Sequence, residues 1–188
     1  MRNVVYLGVV LMLICSVSAG ALAATNRVTH PLIEDYRAAT RAAAMAEVLP
    51  GASTFEEVTG EFEGLLARYP DVDEVSIGQA RAAGPVGHVF SVSPTGYVAD
   101  IVMLVGISDD QILGIQILRQ TETPGLGALV AGHRFLDQFE RLPTGEPVAL
   151  TRDGGKVDAV AGATVSSRAV VDGVEQARKL HAEIRGER

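Results

Sequence analysis

Two short stretches hold the residue types from which a chemical site could be built. The first is Asp158-Ala159-Val160-Ala161-Gly162-Ala163-Thr164-Val165-Ser166-Ser167, at the step from an extended segment into a C-terminal helix. Gly162 and Ala163 leave the backbone almost bare, so a bulky group can come close to it. Thr164 adds a hydroxyl where the first N–H groups of the helix have no intrahelical acceptor and where the helix end favours an anion. This suits a phosphate held beside Thr164 or bonded to it. The same residues also suit a plain N-cap, since Ser or Thr before an apolar periodic run often caps a helix with no further role.

The second stretch is Glu122-Thr123-Pro124-Gly125-Leu126-Gly127, a loop between a strand and a helix. Thr123 can cap that helix, Pro124 has the fixed φ of a first helical position, and Gly125 and Gly127 let backbone approach a ligand. Taken alone, Thr-Pro-Gly is ordinary turn chemistry.

The elements that must position these stretches are legible on either side of them. Residues 75–80, 87–92, 98–107 and 112–118 are short, apolar-rich and bounded by turn residues, namely Gly84-Pro85, Pro94-Thr95-Gly96 and Asp109-Asp110-Gln111. Residues 98–105 are largely apolar, which predicts a central strand covered on both faces. Hairpin-length connections favour an antiparallel sheet with the helices gathered to one side, an α+β fold. A helix over about 128–139 and a strand over about 148–151 separate the two chemical stretches. The last helix, about 166–185, carries Val170, Val174, Ala177, Leu180 and Ile184 on one stripe, which predicts burial against the sheet. Arg168 falls in its first turn, where a cation is unfavourable unless an anion is near; an ordinary surface arginine fits equally well.

Val4 to Ala24 runs without a charge, about 30 Å at helical rise and enough to cross a bilayer. The length of the run favours a retained anchor over residues 1–24, with Arg2 pointing to a cytoplasmic N-terminus. The alternative is a signal peptide cleaved after Ala21-Leu22-Ala23. Residues 25–70 read as a helical stalk: Pro31 should kink or restart the helix, Leu32, Ile33, Tyr36, Ala39, Ala43 and Val48 keep helical spacing, and Pro50-Gly51 stops it. A second helical piece is expected over 55–69. Residues 71–188 then form the folded domain.

Composition excludes several function classes. A net charge of −7 in 188 residues lacks the basic footprint of a nucleic-acid binder. Cys15, the only cysteine, lies in the apolar run, so this chain alone builds no disulfide framework, iron–sulfur cluster or zinc site. Ile14 before it argues against a lipoprotein anchor. His30, His88, His133 and His181 are scattered without ligand spacing, so no metal site is expected.

Asp158, Gly162, Ala163 and Thr164 match the motif Asp-x-x-(Ser/Thr)-Gly-Ala-Thr, and Glu122 to Gly127 matches a second signature without departure. Together they resemble the FMN-binding domain of the RnfG/NqrC family, RnfG more than the longer NqrC. Thr29, Pro31, Leu32 and Ile33, with Leu49-Pro50-Gly51, are similar to the RnfG juxtamembrane region. Ala161 departs, standing where the family usually has Ser or Thr. The resemblance implies FMN joined to Thr164 through a phosphoester installed by a dedicated flavin transferase. It implies Thr123, Gly125 and Leu126 as neighbours of the isoalloxazine ring, with Glu122, Pro124, Gly127, Asp158, Gly162, Ala163, Val165 and Ser166 completing the cofactor site. The function implied is electron relay within a membrane complex coupling ferredoxin/NAD redox to Na⁺ or H⁺ translocation. The chain would be a redox subunit, not a catalyst on its own: single-pass in the inner membrane, its domain on the periplasmic side, touching lipid through its first helix and bound to the other components of an Rnf-type complex. Alternatives are a signal-cleaved periplasmic FMN shuttle, an NqrC-like component of a Na⁺-translocating quinone reductase, and a scaffold protein without flavin.

Overall fold

The structure, a computed structural model, describes residues 2–81, 84–108 and 110–186. Its contacts divide the chain into two units, residues 1–42 and 43–188. The described residues of the first unit are helical throughout. It belongs to α1 (Arg2–Val48), and its apolar side chains from Val4 onward point outward uncovered. The helix is long and apolar enough to cross a membrane. Pro31 neither ends nor restarts it. A proline inside a helix removes one backbone donor, here the one that would reach Arg27 O. Separately, Thr25 and Thr29 donate their hydroxyls to the carbonyls of Ala21 and Thr25, at 3.0 and 2.9 Å.

The second unit is built on a five-stranded antiparallel sheet in the order β1 (Thr54–Glu57), β2 (Val72–Ala80), β3 (Gly84–Val92), β4 (Val102–Ile107) and β5 (Ile112–Arg119). Each strand pairs with its sequence neighbour, so the sheet is a simple meander. β4 alternates faces: Met103, Val105 and Ile107 enter the main core and Leu104 the second cluster, so it is covered on both sides as its composition predicts. On the main face lies α4 (Thr164–Gly186), whose stripe Val170, Val174, Ala177, Leu180 and Ile184 is buried to 1 % exposure or less. Burial of an aliphatic side chain of this size contributes about 1.5–3 kcal/mol, so this stripe is the main attachment of α4. His181 of α4 and His88 of β3 meet there edge to face, ring centroids 5.2 Å apart. The fold pairs two histidines that are far apart in the chain.

The opposite face is closed by the end of α1. Ala44, Met45, Val48 and the following Leu49 pack on Val89 and Leu104. A side chain at Gly106 would run into the Val48 carbonyl, and one at Gly78 into Leu49. These two glycines let the helix end sit directly on the strands.

Several expected elements differ. The piece expected as helix over 55–69 begins as strand β1, because the outer edge of β2 offers unpaired N–H and C=O groups that Thr54–Glu57 satisfies. Only a 3₁₀ turn (Thr59–Phe62) and the single turn α2 (Glu63–Leu66) are helical there. The stalk helix thus ends at Val48, and Val58, Leu65 and Tyr69 join the main core. Tyr69 also donates to Glu183 of α4 at 2.7 Å. The helix expected over 128–139 is broken into a 3₁₀ turn (Gly127–Ala131), the short α3 (His133–Leu136) and a second 3₁₀ turn (Asp137–Phe139). Gly132 is extended (ψ 143°) and interrupts it. The strand expected over 148–151 shrinks to one bridge, Leu150 to Val157. Of the turn 109–111, Asp109 lies outside the described residues.

Candidate functional site

α4 begins at Thr164 because the chain before it cannot be helical. Gly162 has φ +79°, in the left-handed region where an L side chain costs about 1–2 kcal/mol. A tight turn closes Val160 onto Ala163, whose N–H reaches the Val160 carbonyl at 3.0 Å. Ser167, buried, clamps this turn from within the helix: its hydroxyl accepts from Val160 N–H at 3.0 Å and donates to Ala163 O at 2.9 Å. Residue 161 is therefore not needed to close the turn, and Ala161 lies exposed beside it. Thr164 is half-buried, and its hydroxyl makes no hydrogen bond among the described residues. An N-capping hydroxyl accepts from an N–H two or three residues on. Thr164 does not do this.

The 122–127 stretch is not a helix start. Thr123 accepts from Leu126 N–H at 3.1 Å through its carbonyl, with Pro124 and Gly125 (φ +76°) at the centre of the turn. Proline followed by a residue of positive φ is the signature of a type II turn. Helical geometry starts only at Gly127, so Thr123 and Pro124 do not take cap and first-turn positions.

The fold brings the two stretches into contact at two points. Leu126 Cδ2 lies 2.9 Å from where a Cβ on Gly162 would stand. A Cβ on Gly127 would stand 2.6 Å from Glu122 Oε2 and 2.9 Å from Ser166 Oγ. Between them, the Ser166 hydroxyl donates to Glu122 Oε2 at 2.6 Å, and Val98 N–H donates to Oε1 at 3.0 Å. Glu122 is 4 % exposed and Ser166 1 %. Burial pushes the Glu122 carboxyl up, but Ser166 together with the backbone N–H groups of Val98, Tyr97 and Ala99 outweighs it, and the group is held below its ordinary value. A buried carboxylate with several donors is the condition for such a shift. Glu122 thus ties together the loop 95–100, the turn 123–126 and the first turn of α4.

The other expected site residues divide by exposure. Thr123, Pro124, Gly125, Leu126, Gly162 and Val165 are exposed around Thr164, whereas Gly127 and Ala163 are buried beneath it. Asp158 is exposed and already engaged. Its carboxylate accepts from the Thr151 hydroxyl at 2.6 Å, and its N–H donates to Gln138 Oε1 at 2.7 Å. Arg168 pairs with Asp153 at 2.8 Å, so a carboxylate, not a phosphate, is its partner here. A groove of about 680 Å³ runs beside Asp158–Ala161, with Leu129, Arg134 and Phe135 on its other wall. Among the described residues from Ala43 onward, the exposed large apolar side chains are Tyr97, Val98, Leu126, Leu129 and Val165. Tyr97, Val98, Leu126 and Val165 lie on the three segments that Glu122 gathers, and Leu129 lies on the 3₁₀ turn that follows the second of them. A free hydroxyl at an open helix start, flanked by uncovered apolar side chains, fits a phosphate carrying a large planar ring.

Sequence reading singled out the Pro94-Thr95-Gly96 turn and Tyr97 but missed the clamp by Ser167 and the tie of the loop 95–100 to Glu122. The second serine of the Ser166-Ser167 pair and the Pro-Thr-Gly turn were the available signals.

Two relatives decide the family. The chain is 38 % identical to the G subunit of the ion-translocating oxidoreductase complex of Methanosarcina acetivorans, an alignment covering 90 % of this chain and 89 % of that one. It is 35 % identical to the G subunit of the Na⁺-translocating ferredoxin:NAD⁺ oxidoreductase complex of Acetobacterium woodii, covering 93 % and 90 %. The chain belongs to the RnfG family. A family model for the FMN-binding domain matches residues 96–179, which begins at the loop 95–100 and includes both stretches around Thr164. Among solved structures, NqrC from Shewanella oneidensis aligns with a TM-score of 0.50 at 20 % identity, covering 60 % of this chain and 61 % of that one. At that identity the likeness speaks for the fold, and it is the α+β fold expected from the strand and helix pattern.

Proposed function

We infer that this RnfG-family protein is an electron-carrier flavoprotein of a membrane-bound, ion-translocating redox complex, and that it holds FMN through a phosphoester to Thr164. The observation that carries the reading is the unengaged Thr164 hydroxyl at the start of α4, where both family signatures touch. FMN supplies the electron-transfer chemistry; the chain's part is to fix and surround it. The backbone N–H groups of Thr164, Val165 and Ser166 meet no acceptor among the described residues, which supports an anion at this helix start. Leu126 and Val165 supply apolar cover beside the attachment point. Glu122 and Ser167 hold the turn without touching the cofactor. A flavin transferase would form the Thr164 Oγ–P bond from a phosphoanhydride of FMN: its P–O–P bond breaks, the other phosphate leaves with the electron pair, and the Thr164 hydroxyl gives up its proton. Glu122 is consumed in local hydrogen bonds and Asp158 is bonded to Thr151, so neither is a free acid or base for processing a substrate. This agrees with a relay.

The first helix anchors the protein in the membrane with its N-terminus in the cytoplasm, the folded unit outside, and its partners the other components of an Rnf-type complex. Outside the cytoplasm a lost FMN is hard to replace, which favours a covalent bond. The test is the intact mass of the full chain made with an active flavin transferase. We expect an FMN-sized increment in the wild type and in Thr164→Ser, and none in Thr164→Ala. An unmodified wild type would remove Thr164 as the attachment site.

A further inference from the structure

The first turn of α4 holds no acidic residue, although a helix start favours one. The charged side chain nearest to it along the helix is instead a cation, Arg168. Arg168 follows Thr164 by four residues, so the two share one face of α4, with Cβ atoms about 5–6 Å apart. Helix side chains lean toward the N-terminus, which aims the long arginine arm at the turn that Thr164 opens. A cation aimed at a helix start without a carboxylate makes electrostatic sense when the anion comes from outside the sequence.

What holds Arg168 now is slight. One guanidinium nitrogen meets Asp153 Oδ2 at 2.8 Å, and the two side chains are 42 and 37 % exposed. Arg178 on the same helix shows the contrast: it sets two nitrogens on Glu175, and that pair is 12 and 15 % exposed. A buried, forked pair fixes both partners, whereas an exposed single contact contributes little. Asp153 does not depend on Arg168 either, since Arg152 Nε lies 3.8 Å from its other oxygen. Asp172, the second carboxylate that Arg168 attracts, is four residues further along α4, on the side away from Thr164. Arg168 can therefore leave Asp153 without stranding it.

We propose that Arg168 is the phosphate-contacting residue of the attachment site: once FMN is joined to Thr164, its guanidinium leaves Asp153 and pairs with the non-bridging oxygens of the phosphoester. The proposal rests on the attachment reading above. No covalent bond changes in the exchange. Before attachment, Asp153 holds the cation beside a helix start that disfavours it. Afterwards the phosphoester presents its anionic oxygens to the planar fork, and the helix end gains the anion it favours.

The experiment uses the full chain with its first helix, purified in detergent in two forms, made with and without the flavin transferase. The urea midpoint is read for wild type, Arg168→Gln and Arg168→Lys, the modified samples matched for FMN increment by intact mass. Without flavin, Arg168→Gln should unfold with the wild type, since only an exposed pair is lost. Flavinylation should raise the wild-type midpoint. Most of that rise should be missing from Arg168→Gln, and Arg168→Lys should recover part of it, because lysine supplies the charge without the fork. Added NaCl should shrink the flavin-linked rise in the wild type and not in Arg168→Gln, as screening of a surface ion pair requires. An arginine with a purely structural role would shift both forms of the chain alike, so the difference between the forms isolates the contact. Equal rises in wild type and Arg168→Gln, or no rise in the wild type, overturn the proposal and leave the attachment to Thr164 intact. A wild type without the FMN increment overturns both.

Discussion

Replacing Glu122 by glutamine tests whether one buried carboxylate holds three segments together. The side chain is nearly isosteric, so packing is kept while the charge is lost. Hydrogen bonds to a charged group contribute about 1.5–3 kcal/mol, against about 0.5–1.5 for neutral ones. Two bonds, from Ser166 at 2.6 Å and Val98 at 3.0 Å, are weakened. A loss of about 1 kcal/mol each gives about 2 kcal/mol in all. With a urea slope of about 2 kcal/mol/M, the unfolding midpoint of the detergent-purified chain falls by about 1 M at pH 7. Glu122→Leu, which leaves these buried donors without any acceptor, falls further. The pH dependence has a fixed sign. The carboxyl is held below its ordinary 4.5, so its contribution is present above that value and is lost as pH falls through the lower folded value. The gap between wild type and Glu122→Gln should therefore be constant from pH 7 to 5 and close below about 4.5. Equal midpoints at pH 7, or a gap that widens on acidification, refute the clamp.

Gly162→Ala places an L side chain at φ +79° and pushes on Leu126 Cδ2, so it should cost about 1–2 kcal/mol in denaturant melts and lower the flavinylated fraction seen by mass. Arg178 binds Glu175 through two nitrogens at 2.7 and 2.8 Å and reaches Thr144 O at 2.7 Å, while Glu175 also takes Val148 N–H at 2.8 Å. Arg178→Met leaves that carboxylate with Val148 N–H and Lys179 at 3.5 Å, and a thermal melt should register a loss of about 1.5–3 kcal/mol. Leu180→Ala empties a fully buried position under the sheet and should cost about 2–5 kcal/mol by the same measure, with flavinylation of the surviving folded protein unchanged.

The parts legible in the sequence were those set by local pattern. The four strands β2 to β5 announce themselves by apolar runs between turns, and the α4 stripe by its period. Thr164 and the 122–127 loop stand out because small residues beside a hydroxyl or a proline are chemically unusual. What was not legible depends on neighbours distant in the chain. Thr54-Phe55-Glu56-Glu57 has no strand pattern of its own and becomes β1 because β2 has an open edge. Residues 98–101 are apolar enough to extend β4, but Glu122 draws the Val98 N–H out of the ladder. Glu122 itself read as a ligand neighbour, and its burial under three segments makes it a brace. The pairing of His88 with His181 is likewise a product of packing, since nothing in either one's local sequence points to the other.

The seating of Val48 and Leu49 over Gly106 and Gly78 decides where this chain can be cut. A soluble version begun at residue 71 would lack β1 and the cover over Val89 and Leu104, leaving a sticky sheet face and an open strand edge, both prone to aggregation. A version begun near Ala43 sheds the uncovered apolar helix and keeps every residue of the second cluster. For crystallisation, labelling or electrode work, the useful boundary is therefore inside α1 and not at the first obvious strand.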